Sequence, residues 1–321
     1  MVRRLHAHHL IRLVLLLAVI GGLGEIVARH VLGLGTPPLY VLHPSIEYMF
    51  NPNQDVYRFG NRFIVNQFGM RTEPFPLKKR QEEFRAMVFG DSVLNGGYLT
   101  DQANLATSLV KATVAHAGYE HVVIGNISAG SWGPGNWLAY AKEYGFFDAD
   151  VVVLVVSSHD ASDNPTFTPL NKNTHPMDRP VSALLEGIER YVPRYLPSFD
   201  SGKKTVEPDR FEARGEQEVK QGLKDLREFL ELARSRVRDV LVFQHLERSE
   251  LETNSPKAGF FQVKDLCTRL GIKVVSLKDY YVRAKDRGLG PYRDNIHLNE
   301  VGQSLLAEAM EENISFARTG H

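Results

Sequence analysis

Asp294 and His297 stand three residues apart in Tyr292-Arg-Asp-Asn-Ile-His-Leu-Asn-Glu-Val-Gly302, close to the end of the chain. In a turn or helix, residues at i and i+3 share a face. The carboxylate can then hold the imidazole in the tautomer that takes a proton from a hydroxyl. Ser92 offers that hydroxyl. It lies in Val88-Phe-Gly-Asp-Ser-Val-Leu-Asn-Gly-Gly97, directly after the apolar run Ala86–Gly90. A serine between a strand and the next helix points its backbone N–H and its hydroxyl into one space. That suits a nucleophile contributing to its own oxyanion hole. Gly130, in Asn126-Ile-Ser-Ala-Gly-Ser-Trp-Gly-Pro-Gly-Asn136, is the choice for a second backbone donor, with Gly133 and Gly135 as competitors. The stretch also reads as a plain glycine-rich turn. In Ser157-Ser-His-Asp-Ala-Ser-Asp-Asn164 the side chain of His159 or of Asn164 can donate to an oxyanion. Asp160 and Asp163 there also read as turn and capping residues. Each signal alone is ordinary, since Gly-Asp-Ser turns and surface Asp–His pairs are common.

The weight comes from the elements that carry these loops. Ala86–Gly90, His121–Asn126, Asp150–Val156, Asp239–Phe243 and Ile272–Ser276 are short apolar runs, rich in β-branched residues. Such runs suit strands buried on both faces of a parallel sheet. Helical segments alternate with them: Gln102–Ala117, Asn136–Tyr144, Glu216–Arg236, Phe261–Leu270 and Asn299–Phe316, the last with Asn299 as N-cap. This alternation predicts a three-layer α/β/α sandwich with a central parallel five-stranded sheet. Chemistry in such sheets lies at the carboxyl ends of the strands, where Ser92, Gly130 and His159 fall. Residues 160–214 interrupt the alternation and contain a short helix, Ser182–Tyr191. They read equally as a lid or substrate-binding segment and as a surface embellishment.

Ahead of this domain (86–321) lies a lead-in, 32–85, of short extended pieces broken by turns such as Asn51-Pro52-Asn53. Residues 1–31 combine Arg3, Arg4 and Arg12 with the apolar run Leu13–Gly24. Leu10–Val31 spans a bilayer if Arg12 and Glu25 snorkel at its two interfaces. We read it as a signal anchor rather than a cleaved peptide, with the positive end in the cytoplasm and the rest on the periplasmic, extracytoplasmic side of the inner membrane. Lys+Arg and Asp+Glu each total 38, for a formal net charge of zero, which gives no basis for a nucleic-acid partner. Cys267 is the single cysteine, so no disulfide closes within the chain; it reads as a small packed hydrophobe. No metal-ligand spacing or cofactor motif stands out, and nothing sets the oligomeric state.

Taken together, the four loops resemble the SGNH/GDSL hydrolase superfamily. Gly90-Asp91-Ser92 is similar to its first block, Asn126–Gly130 to its second, His159-Asp160 to its third and Asp294-Asn-Ile-His297 to its last. They follow the family's order across residues 86–316. The segment Ile64–Arg71 resembles one found in membrane-anchored bacterial members. The resemblance implies a flavodoxin-like SGNH fold with Ser92 as nucleophile, His297 as general base and then acid, and Asp294 orienting it. The oxyanion donors would be the N–H groups of Ser92 and Gly130 and a side chain of the third block. There the sequence departs from the family, because His159 stands where the family has asparagine.

Three functional expectations follow. The first is a serine esterase that removes O-acetyl or related groups from an envelope or exported polysaccharide. The second is an O-acetyltransferase with the same triad and the insertion as a water shield. The third, motivated by His159, is a catalytically silent envelope scaffold.

Overall fold

The computed structural model describes residues 2–116, 119, 121–192 and 215–316. Residues 193–214 of the insertion, and residue 117 at the end of a predicted helix, lie outside these described residues. The chain begins with helix α1 (Val2–His30). Its stretch His8–His30, 23 residues with mean hydropathy 2.3, is long and apolar enough to cross a membrane. Its large apolar side chains from Leu10 to Val27 are exposed.

The lead-in forms two antiparallel hairpins, β1 (Tyr40–His43) with β2 (Glu47–Phe50), and β3 (Gln54–Arg58) with β4 (Asn61–Val65). Five parallel strands follow: β5 (Glu83–Gly90), β6 (His121–Ser128), β7 (Val151–Val156), β8 (Asp239–Gln244) and β9 (Lys273–Ser276). Their order is β6-β5-β7-β8-β9, with all four pairings parallel. This is the flavodoxin-like order, which opens a crevice at the carboxyl ends of β5 and β7.

The helices are α2 (Ser92–Asn95), α3 (Ala106–His116), α4 (Pro134–Tyr144), α5 (Ala183–Arg190), α6 (Glu216–Arg236), α7 (Arg248–Thr253), α8 (Ala258–Arg269), α9 (Lys278–Asp286) and α10 (Glu300–Asn313). Strand side chains alternate between two cores, as the period of two requires. Met87, Phe89, Val152 and Leu154 pack with α4, α6 and α8 on one face. The hairpins join that side through Ile46, Tyr48, Phe50, Phe63 and Val65. Ala86, Val88, Val151 and Val153 pack with α3, α9 and α10 on the other. The three-layer sandwich expected from the alternation is therefore the fold observed.

Some elements differ from the expectation for local reasons. The helix expected from Gln102 begins at Ala106, because the Asp101 side chain accepts from the Ala103 N–H and closes a separate 3₁₀ turn, Gln102–Asn104. Helix α9 was not expected at all. It buries only Tyr280, Tyr281 and Ala284, too narrow a stripe to stand out in a charged segment.

Candidate active site

Helix α2 has four residues, far too few to hold together by propensity. Its stability comes from partners brought in from elsewhere. Asp91 caps it, with Oδ1 accepting from the Val93 N–H at 2.8 Å. Gln303 of α10 donates to the Val93 carbonyl at 2.9 Å, and Asn126 of β6 to that of Leu94 at 3.2 Å. The buried Arg71 guanidinium donates to the carbonyls of Asn95 and Gly97, and to that of Thr100 at 2.6 Å. Ser92, as first residue of α2, keeps an N–H with no intrahelical acceptor.

The loop before α10 is fixed from both sides. Arg293 reaches the Thr100 hydroxyl at 2.8 Å and the Gly96 carbonyl at 3.3 Å. On the other side, His245 Nε2 donates to the Ile296 carbonyl at 2.9 Å, while its Nδ1 faces the Tyr281 hydroxyl at 2.8 Å. A carbonyl only accepts, so the proton sits on Nε2. Burial pulls His245 down to about 4, which keeps it neutral in this role.

These supports bring Ser92, His297 and Asp294 together. Ser92 Oγ lies 2.9 Å from His297 Nε2, and His297 Nδ1 lies 2.8 Å from Asp294 Oδ2. Asp294 Oδ1 accepts the backbone N–H groups of Ile296 and His297, each at 2.8 Å. Partial burial raises the Asp294 pKa, but those two N–H bonds and His297 outweigh it and bring it below the usual carboxylate range. An ionised carboxylate only accepts, so Nδ1 carries the proton. Nε2 then presents its lone pair to the Ser92 hydroxyl. The array can draw a proton from Ser92 as it attacks an electrophilic carbon. It is open to solvent, with side-chain exposures of 38% for His297 and 52% for Asp294.

Ser92 and His297 line a cleft of about 370 Å³, within the range of small-molecule sites. Gly130 is on its wall, and a Cβ there would meet nothing within 4 Å. The two competing glycines have structural reasons instead. A Cβ on Gly133 would lie 2.1 Å from the Asp163 carbonyl oxygen, and one on Gly135 2.6 Å from Pro165. Most of the cleft wall comes from segments that carry no site motif. Tyr40, Phe50, Arg58 and Phe63 come from the lead-in, and Asn173–Pro176, Arg190 and Tyr191 from the insertion. Arg58 is buried, donating to Glu186 at 2.5 Å and Tyr191 at 2.8 Å. The insertion is thus, in its described part, a wall of the cleft.

The third-block expectation needs correction. Neither His159 nor Asn164 borders the cleft. Asn164 Nδ2 donates to the carbonyls of Ser162 and Glu218, at 3.1 and 2.9 Å. His159 is buried in a short 3₁₀ turn (His159–Ser162), with Nε2 3.3 Å from Asp91 Oδ2 and Nδ1 3.3 Å from Glu247 Oε1. Burial alone would lower its pKa, but Asp160, Asp91 and Glu247 together raise it well above the ordinary imidazole value. Burial would raise Glu247, yet His159 and Lys257 bring it down to about 2. The ring is therefore a buried cation clamping the capping residue of α2 rather than an oxyanion donor. Asp91, His159 and Asp160 are also the one group of metal-ligating side chains gathered within 4.8 Å among the described residues. In this group Nε2 of His159 faces Asp91 and Nδ1 faces Glu247.

No family model and no curated protein matches the sequence. Solved structures do. A lipolytic G-D-S-L family protein from Veillonella parvula is 14% identical, covers 72% of this chain and 97% of its own, and has a TM-score of 0.41. An alpha/beta hydrolase enzyme from the metagenome of Lake Arreo is 14% identical, covers 71% and 94%, and scores 0.46. A catalytic variant of an acetylxylan esterase from Geobacillus stearothermophilus is 13% identical, covers 74% and 97%, and scores 0.45.

Proposed function

We propose that this chain is a serine esterase of the SGNH/GDSL kind that cleaves carboxylic esters through an acyl-enzyme on Ser92. The observation that carries this reading is the unbroken hydrogen-bonded series Ser92–His297–Asp294 on the wall of a cleft. Ser92 Oγ attacks the ester carbonyl while His297 Nε2 takes its proton. The tetrahedral oxyanion is met by the backbone N–H groups of Ser92 and Gly130. His297 then protonates the leaving alcohol, and water deacylates the enzyme by the same route in reverse. Asp294 keeps His297 in the required tautomer throughout.

The cleft wall supports an acylated sugar as substrate. Tyr40, Tyr98 and Tyr191 bring aromatic rings to the cleft, and Asn173 and Arg190 bring polar groups, a lining that suits a sugar. An O-acetyl group is the simplest acyl group for it. Transfer of the acyl group to a second sugar is the alternative reading, favoured by the wall that the insertion builds. The solvent access of His297 and Asp294 favours water as acceptor. The apolar stretch His8–His30 acts as a membrane anchor in this reading, with the catalytic domain outside the inner membrane.

The test compares the full chain in detergent with its Ser92→Ala variant on p-nitrophenyl acetate and on an O-acetylated oligosaccharide. Esterase activity lost in the variant is expected, with free acetate as product. Acetylated acceptor in place of acetate would replace hydrolysis by transfer. A folded wild-type chain no faster than Ser92→Ala on either substrate would refute the esterase reading.

A further inference from the structure

We propose that helix α5 is a second membrane contact: an interfacial helix that lies in the outer headgroup layer beside α1 and fixes the cleft at the bilayer surface. This rests on the reading of His8–His30 as a membrane anchor.

The first observation is where α5 docks. Glu25 of α1 closes the N-terminus of α5. It accepts from the Ser182 hydroxyl at 2.7 Å and from the N–H groups of Ala183 and Leu184 at 3.0 and 2.9 Å. Arg29 holds the same carboxylate, with Nη2 at 2.6 Å. Leu184 covers Gly24, where a Cβ would come within 3.2 Å of it. Ala28, Leu34 and Ala183 complete the contact. The expected snorkelling of Glu25 is thus replaced by a cap that satisfies it in place.

The second observation is depth. His8–His30 has 23 residues, about 34 Å of helix at about 1.5 Å per residue, against a hydrocarbon core of roughly 30 Å. Gly24 is six residues before His30, about 9 Å back along the axis. A helix packed on Gly24 and Glu25 therefore cannot stand clear of the bilayer. It sits at the boundary where amphipathic interfacial helices lie, roughly 5–10 Å into the headgroup and acyl region.

The third observation is the outer face. Ala183, Gly187 and Tyr191 of this segment turn toward α1 and the lead-in. Leu185 and Ile188 lie on the opposite side of α5, exposed by 54 and 48%, and Val181 and Val192, just before and just after the helix, are exposed by 98 and 40%. An apolar stripe in water is unfavourable, whereas at this depth it meets acyl chains. Val31, the residue after α1, is also exposed, by 67%. The partner is a lipid surface. Because Arg190 and Tyr191 at the end of α5 line the cleft, esters presented at or near the membrane are the ones within reach.

The experiment uses the full chain in vesicles of phosphatidylethanolamine and phosphatidylglycerol. Single variants Ile188→Cys, Leu185→Cys, Glu189→Cys and Leu16→Cys are labelled with an environment-sensitive maleimide fluorophore. Cys267 does not compete, since it is buried and its thiol is pushed up to about 12 by that burial. Expected are blue-shifted emission at Ile188→Cys and Leu185→Cys, quenching there by lipid carrying a doxyl group near the headgroup, and protection from aqueous iodide. Leu16→Cys should be quenched by lipid with the doxyl group deep in the chain, and Glu189→Cys should remain open to iodide. Lipid quenching at Leu16→Cys with iodide quenching at Ile188→Cys overturns the interfacial helix and leaves the anchor standing. Protection of Ile188→Cys from iodide and lipid quencher alike means protein covers the stripe, and also overturns it. A Leu16→Cys label that no lipid quencher reaches overturns the anchor, and this inference with it.

Discussion

Replacing Asp294 by Asn tests how the site orients its base. Asn keeps one oxygen for the N–H groups of Ile296 and His297, both at 2.8 Å from Asp294 Oδ1. The loop should therefore keep its shape. The other oxygen becomes an NH₂ facing His297 Nδ1, now 2.8 Å from Oδ2. Two donors cannot share that contact, so the ring shifts its proton to Nε2 and loses the lone pair that Ser92 needs. In a buried triad this change lowers kcat by roughly 10⁴, or about 5.4 kcal/mol at about 1.36 per tenfold. Here Asp294 is 52% exposed, so water screens its charge. A pair about 4 Å apart is worth roughly 1 kcal/mol in water against about 4 near a protein surface. Removing about 3 kcal/mol from the loss leaves a fall of roughly 10²-fold. The assay is kcat for p-nitrophenyl acetate, with urea unfolding as control, and the unfolding midpoint should not move. A fall below about tenfold would show that Asp294 does not orient His297. A fall of about 10⁴ would refute the argument that solvent screens it.

The other predictions concern the supports. His159→Asn should cost roughly 3–5 kcal/mol of stability by leaving Asp91 and Glu247 buried without their cation. His159 is raised in the folded chain, so its contribution is fully present below the ordinary value of 6.5 and is lost as pH rises through the raised value. Urea midpoints of wild type and variant should therefore converge in alkaline solution, and an unchanging gap would contradict the buried cation. Arg71→Gln leaves the carbonyls of Asn95, Gly97 and Thr100 short of a donor. At roughly 1–3 kcal/mol for each unmet group, unfolding should come at clearly lower urea and kcat should fall with it. Gly133→Ala should destabilise the fold, whereas Gly130→Ala should leave the unfolding midpoint unchanged and lower kcat by crowding the cleft. Equal stability effects at the two positions would undo the distinction between them.

Local pattern carried the sheet. Runs such as Val151–Val156, buried throughout, have one favourable use in a chain that alternates them with amphipathic helices. Asn299 announces α10 by chemistry that acts over three residues, its side chain accepting from Gly302. The pairing of Asp294 with His297 was legible for the same reason, since a turn needs no distant partner. Position at a strand end added Ser92. What the sequence left open depends on distant segments meeting. Arg71 holds the end of α2 from 24 residues away, Glu186 meets Arg58 from 128 residues away, and the cleft wall joins lead-in to insertion. His159 shows the limit most clearly. The sequence places it in a loop at the right strand end, where its type permits a donor to the substrate. Only the packed structure turns it inward, because Asp91, Asp160 and Glu247 converge there and two of those carboxylates need a cation to be buried together.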